Sequence, residues 1–122
     1  MSSDSSVQDG LLVVDLQDED HRVRFALSGE LDLSNACTAE LQLEEAFGSK
    51  RPVLIDLSKL EFLDSTGIAL LVTALGRPDV RRLEFVPSEN PGVRRVLSLT
   101  GLEERLPYVS LEDGQATMQP AA

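Results

Sequence analysis

The run Val53-Leu54-Ile55-Asp56-Leu57 is followed by the turn Asp64-Ser65-Thr66-Gly67 and then by an apolar run from Ile68 to Leu75. The first run is apolar at all positions but one, which is typical of a strand that is buried on both faces. The last run predicts a buried helix that ends near Gly76. Ser65 therefore lies at a helix N-terminus, where free backbone N–H groups and the helix dipole favour negative charge. In that position its hydroxyl can cap the helix or accept a phosphate.

Strands and helices alternate on both sides of this unit. The predicted strands are Leu11–Leu16, Arg22–Ser28, Val53–Leu57, Leu83–Val86 and Leu106–Val109; the predicted helices are Ala36–Phe47, capped by Ser34 or Asn35, Thr66 to near Gly76, Pro91 to Gly101 and a short one at Glu112–Met118. We therefore expect an α/β fold in a single domain. Its sheet should be mixed and mostly parallel, with an antiparallel N-terminal edge hairpin and helices packed on it.

Length and composition fit one folded domain. The chain has 122 residues, and 42% of them are hydrophobic, which is enough for one core. We expect residues 1–9 to be disordered, residues 10–118 to form the domain and residues 119–122 to be a disordered tail. No run approaches the about 20 apolar residues of a membrane-spanning helix, and no secretory signal opens the chain. The single cysteine, Cys37, fits a reducing compartment, so we expect a cytoplasmic protein without membrane insertion.

The charge of the chain disfavours nucleic acid as a partner. The formal net charge is −10, and the basic residues form no cluster interleaved with aromatic side chains. Because affinity for nucleic acid comes largely from neutralising phosphates, direct binding would be unfavourable. A protein partner with a basic surface is the natural complement.

No pattern predicts catalysis, a metal or a cofactor. His21, the single histidine, lies in an acidic turn, and one His with one Cys does not make a zinc site. Neither of the glycine-rich phosphate-binding motifs occurs. Asp56 is interpreted as a structural residue at a strand end rather than as a phosphate acceptor. A hydrolase that used Ser65 would lack a general base, so the chain is predicted not to be an enzyme.

Gly67 lies early in the predicted helix. Glycine is unfavourable early in a helix, so its presence suggests that another group approaches the backbone closely there. By the local pattern alone, Ser65 is first of all a helix cap.

Three separated segments together resemble a known family. They are Leu27-Ser28-Gly29-Glu30-Leu31-Asp32, the segment from Val53 to Ala69 that contains Asp64-Ser65-Thr66-Gly67, and the segment from Asn90 to Leu102. In this order and spacing the chain resembles bacterial anti-sigma factor antagonists of the STAS domain family. The resemblance covers residues 10–118.

The resemblance implies a binding protein with a phosphorylation switch. The unphosphorylated form would bind an anti-sigma factor, itself a serine kinase, and so free the sigma factor. The kinase would phosphorylate Ser65, and a PP2C-type phosphatase would remove the phosphate. The residues that map onto the partner-binding region are Glu30, Asp32, Asp64, Ser65, Thr66, Gly67 and Ile68, with Gly67 expected on an exposed first helical turn.

Two positions depart from the family pattern. Ala69 stands where a glycine is common, and Asn35-Ala36 stands where a Thr-Ala pair is frequent. The first departure bears on partner selectivity and the second on the geometry of the loop after Asp32. An alternative with the same fold is an accessory subunit of a membrane transporter ATPase.

Overall fold

Five strands and three helices are found in the residues that the computed structural model describes, which are 4–77 and 82–109. The strands are β1 (Ser5–Asp9), β2 (Leu12–Glu19), β3 (Arg22–Leu31), β4 (Val53–Leu63) and β5 (Leu83–Val86), and the helices are α1 (Ala36–Gly48), α2 (Ser65–Leu75) and α3 (Pro91–Leu99). The predicted α/β class is confirmed.

The strands form one mixed sheet in the order β1-β2-β3-β4-β5. β1 pairs with β2 and β2 with β3 in antiparallel fashion, whereas β3–β4 and β4–β5 are parallel. The predicted β2–β3 hairpin is confirmed, but β1 lies outside it and forms the edge of the sheet. The parallel pairs follow from the helices α1 and α2, each of which returns the chain to the same end of the sheet.

The prediction that residues 1–9 are disordered is wrong for Ser5–Asp9. Only Val7 in this segment is apolar, so hydrophobic patterning gave no strand signal. The segment is held instead by its backbone, which pairs with β2 from Ser5↔Leu16 to Asp9↔Leu12. Its last residue is fixed further, because the Thr38 hydroxyl donates to the Asp9 carboxylate at 2.6 Å.

Two other boundaries differ from the prediction. β4 continues from Leu57 to Leu63, six residues beyond the apolar run, because it keeps pairing with β3 past a register shift. The predicted strand at Leu106–Val109 is reduced to a single parallel bridge between Tyr108 and Phe85. The predicted helix at Glu112–Met118 lies outside the described residues.

The core lies between the sheet and the helices. All three helices contribute to one hydrophobic cluster, through residues such as Leu43, Leu71 and Leu97, and the sheet contributes Phe25 and Ile55. Val53, Leu54 and Ile55 are each at most 2% exposed, so the predicted burial of the run Val53–Leu57 on both faces is confirmed for this part of β4. This rigid layer fixes the position of the β4–α2 turn that contains Ser65.

Candidate functional site

Ser65 is the first residue of α2, and its side chain is exposed. The residue that caps the helix is Asp64, whose extended backbone places its carboxylate over the first turn. The prediction that Ser65 caps α2 is therefore wrong, and the cap lies one residue earlier. An aspartate at this position accepts from the helix N–H groups with a full charge, which a serine hydroxyl lacks. The Ser65 hydroxyl is thus left facing solvent.

The Asp64 carboxylate joins α2 to the loop after β3. Its Oδ1 accepts from the Thr66 hydroxyl at 2.5 Å, the Thr66 N–H at 2.9 Å and the Gly67 N–H at 3.2 Å. Its Oδ2 accepts from the Leu33 N–H at 3.1 Å. The hydrogen bond from the Thr66 hydroxyl, followed by those from the backbone, holds the pKa of the Asp64 carboxyl below its ordinary value. The carboxylate therefore remains charged and keeps both segments in place.

The loop around Asp32 is organised by Asn35. This amide is only 2% exposed, and it caps no N–H group of α1 with its side chain. Its Oδ1 accepts from the Asp32 N–H at 2.9 Å, and its Nδ2 donates to the Glu30 carbonyl at 3.0 Å. Asp32 in turn accepts from the hydroxyl and N–H of Ser34. The departure at Asn35 therefore preserves an ordered loop, a role that a helix-cap pattern does not reveal.

Gly29 lies near the end of β3, where the pairing with β4 shifts register between Gly29 and Glu30. Its φ is +90°, and a Cβ at this position would lie 1.9 Å from the carbonyl oxygen of Leu11. The Leu11 carbonyl accepts from the Glu30 N–H at 3.0 Å. Only glycine allows this approach, which directs the chain from β3 into the loop that meets Asp64.

Gly67 is buried, and the expectation that it lies on an exposed surface is wrong. An added Cβ would lie 2.3 Å from Leu63 Cδ1 and 3.0 Å from Leu31 Cδ2. The close approach suggested by its sequence position is confirmed, but the approaching groups are the side chains of the domain's own core. Ile68 is half-buried and packs against the same core. Of the predicted contact residues, Ser65 is exposed and Gly67 is buried, whereas the half-buried ones are Glu30, Asp32, Asp64, Thr66 and Ile68.

Sequence reasoning missed the apolar surface beside Ser65. Leu33, whose N–H binds Asp64, exposes 76% of its surface. It lies at one end of a groove of about 280 Å³ between α1 and α2. The groove is lined by Leu33, Ala36, Cys37, Glu40, Thr66, Ala69, Leu70 and Thr73. The part of the groove formed by α2 could have been predicted from the sequence, because Ser65–Leu75 contains no charged residue at all.

The other candidates lie outside this site. Asp56 forms an ion pair with Arg24 and accepts from the Ser58 N–H at 2.9 Å, which supports its structural interpretation. It lies within β4 rather than at a strand end, so that part of the prediction is wrong. His21 is exposed in the turn between β2 and β3. Within residues 4–77 and 82–109, no cluster of His, Cys, Asp and Glu could hold a metal ion. None of the helices in that part of the chain is long and apolar enough to cross a membrane.

The family follows from comparison with known proteins. A family model described as "Mlab, STAS domain" matches residues 14–111, which is most of the chain. The chain belongs to the STAS domain family. In this STAS domain the loop that follows β3 meets the Asp64–Gly67 turn at one end of the sheet, although the two segments are far apart in sequence.

Solved structures of anti-sigma factor antagonists share the fold of this chain. The crystal structure of an anti-sigma factor antagonist from Mycobacterium paratuberculosis is 27% identical, with a TM-score of 0.71, and the match covers 91% of this chain and 90% of that one. The anti-sigma factor antagonist SpoIIAA in its unphosphorylated form is 19% identical, with a TM-score of 0.63 over 83% and 91% of the two chains. The Bacillus cell fate determinant SpoIIAA in its phosphorylated form is also 19% identical, with a TM-score of 0.59 over 83% and 95%. The chain is thus an anti-sigma factor antagonist-like STAS domain, and the two SpoIIAA structures support its fold.

Proposed function

We propose that this STAS domain is an anti-sigma factor antagonist that is controlled by phosphorylation of Ser65. The unphosphorylated form binds an anti-sigma factor that is also a serine kinase, and the sigma factor is released. Transfer of a phosphoryl group to Ser65 ends this binding, and a PP2C-type phosphatase restores it. The domain itself acts as a binding protein and a kinase substrate, in the cytoplasm and without contact to nucleic acid.

The observation that carries the proposal is the contrast between two neighbouring hydroxyls. The Thr66 hydroxyl donates to Asp64 at 2.5 Å, whereas the Ser65 side chain is exposed on the first turn of α2. The Ser34 hydroxyl nearby is likewise engaged, with Asp32, so a kinase that docks on this end of the sheet meets the exposed Ser65 hydroxyl on a capped helix. Its position is fixed by the Asp64 cap rather than by a mobile loop, which favours accurate presentation to a catalytic site.

The surroundings of Ser65 explain why a phosphate would act as an off signal. The N–H groups of Thr66 and Gly67, which could otherwise receive an anion, are already occupied by Asp64. A phosphate of about −1.5 to −2 charges would therefore stand beside a carboxylate that stays ionised. It would add like charge and strongly hydrated oxygens to a surface that must be desolvated for binding. The switch then needs no change of fold.

The test is phosphorylation in vitro by anti-sigma serine kinases of the source organism. Each purified kinase is incubated with ATP and the wild-type chain, and the intact mass is recorded. We expect one phosphate on the wild type and on Thr66→Ala, and none on Ser65→Ala. Thr66→Ala is the matched control, because it removes the neighbouring hydroxyl and leaves Ser65. Equal incorporation into the wild type and Ser65→Ala would refute Ser65 as the acceptor.

The partners are tested by affinity purification of the wild-type chain with identification by mass spectrometry. Recovery of an anti-sigma serine kinase, reduced when Ser65 is phosphorylated, is the expected result. Recovery of a transporter ATPase in its place would favour the alternative function. Removal of the Ser65 phosphate by a purified PP2C-type phosphatase tests the return step.

A further inference from the structure

We propose that the anti-sigma kinase contacts not only Ser65 but the whole groove between α1 and α2, through an apolar strip of its surface that is bordered by Lys or Arg. The inference rests on the proposed function and adds the chemistry of the partner. It assigns Leu33, Ala69 and Thr73 as specificity-determining residues for docking. The groove begins beside the site, because Leu33 and Thr66 both line it and both donate to the Asp64 carboxylate.

The side of the groove formed by α2 has no charge. Helix α2, Ser65–Leu75, contains no Asp, Glu, Lys or Arg, although Ala69, Val72 and Thr73 are exposed. In a chain with 26% charged residues, an exposed helix face of this kind is a mark of an interaction surface. Leu33 extends the apolar surface to the Ser65 end, since it is the most exposed large hydrophobic side chain in the described residues.

The side of the groove formed by α1 carries the carboxylate of Glu40. Of the other two glutamates of this helix, Glu44 forms an ion pair with Arg77 and Glu45 lines a different pocket. The loop before α1 adds Asp32. Charge complementarity therefore calls for a partner whose apolar strip has basic residues on the α1 side. The same basic residues would be attracted to this chain at a distance, given its net charge of −10.

Ala69 connects the groove to partner choice. It lies four residues after Ser65, one helical turn further along the same exposed side of α2, and it lines the groove. Its methyl group occupies space that a glycine would leave open. A partner surface that packs closely on α2 must leave room for this methyl group, so residue 69 discriminates between anti-sigma kinases.

Cys37 offers a direct measurement, because it is the single cysteine, it is exposed and it lines the groove. The probe is the kinase that phosphorylates Ser65 in the assay above, without ATP. We expect saturating kinase to slow alkylation of Cys37 by N-ethylmaleimide at least about tenfold, as for a thiol buried in an interface. The control is Cys37→Ser combined with Leu99→Cys, which moves the thiol to an exposed position on α3 and should be alkylated at an unchanged rate.

Substitutions give the second measurement. Ala69→Glu and Thr73→Glu should each raise the Kd for the kinase at least about tenfold, and thermal unfolding should show that both remain folded. Leu99→Glu, which changes an exposed leucine on α3 that does not line the groove, should leave the Kd within about twofold. Glu40→Lys should weaken binding and flatten its dependence on salt.

The alkylation and phosphorylation results distinguish failure of the groove inference from failure of the proposed function. Undiminished alkylation of Cys37 in a complex that forms normally would overturn the groove and leave the proposed function standing. Protection of Cys37 that rises with the concentration of this chain alone would assign the groove to a second copy and overturn the inference. If no kinase phosphorylates Ser65, the proposed function fails, and the inference fails with it.

Discussion

The carboxylate of Asp64 accepts a hydrogen bond from the backbone N–H of Leu33 at 3.1 Å, although the two residues are 31 positions apart in the chain. Through its other oxygen Asp64 caps α2. One side chain therefore sets the position of the Ser65 hydroxyl relative to the Asp32 loop. This relationship joins the two sequence motifs into one surface.

Replacing Asp64 by Ala should destabilise the domain by about 0.5–2 kcal/mol, the usual cost of losing an N-cap. The loss should appear as a lower urea midpoint with an unchanged slope. Asp64→Asn should recover part of the stability, since asparagine is also a good cap. Equal stability of the wild type and Asp64→Ala would contradict the hydrogen bonds assigned to this carboxylate.

The stability of the domain should fall at acid pH in a way that depends on Asp64. Hydrogen bonds hold the pKa of its carboxyl below the ordinary value of 3.8, so the folded state binds this proton less readily than the unfolded chain. The stabilisation is therefore complete above that ordinary value and is lost as the pH falls through the lower, folded pKa. The free energy of unfolding, measured by urea titration across this range, should decrease less steeply for Asp64→Asn than for the wild type. Parallel curves would show that Asp64 is not responsible.

Gly67→Ala should destabilise the domain by about 1–3 kcal/mol, because its Cβ would overlap Leu63 and the core cannot expand freely. Helix propensity alone predicts the opposite, a gain of about 1 kcal/mol. Gly48→Ala is the matched control, since no atom lies within 4 Å of its added Cβ at the end of α1. Its stability should be unchanged or slightly raised. A double-mutant cycle with Leu63→Val should recover part of the loss at Gly67, and an additive result would place the clash elsewhere.

Gly29→Ala should cost more than about 2 kcal/mol, since it combines a positive φ with a clash against the Leu11 carbonyl. Gly10→Ala separates the two causes. Gly10 has a φ of +61° and open space around an added Cβ, so it reports the backbone strain alone, about 1 kcal/mol. Similar losses in the two variants, measured by chemical denaturation, would contradict the close approach at Gly29.

Sequence patterns predicted the strands and helices in which apolar residues alternate or form a continuous run. The alternation in β3 and the uninterrupted apolar run of β4 each identified a strand, and the Pro91 and Gly101 signals bracketed α3. β1 was missed because its pairing is made by backbone groups, which leave no mark on a polar sequence. The extension of β4 was missed because its buried residues, Leu60 and Leu63, lie three positions apart and show no strand alternation.

Within the site, the sequence located Ser65 but not the partners that position it. Whether Asp64 or Ser65 caps α2 depends on the backbone angles of one residue, since both side chains can serve. That Gly67 faces Leu31 and Leu63 depends on how closely the helix approaches the sheet. The exposure of Leu33 could not be inferred from its own residue type, since a leucine is more often buried.

The central claim is that phosphorylation of Ser65 switches off binding of the anti-sigma kinase. Its most direct test is isothermal titration calorimetry of the kinase with two homogeneous samples of the wild-type chain, unphosphorylated and phosphorylated on Ser65. Circular dichroism should first show that both samples have the same secondary structure. We predict that the phosphorylated chain binds at least about tenfold more weakly, a difference of about 1.4 kcal/mol or more. Equal affinity of the two samples would contradict the claim.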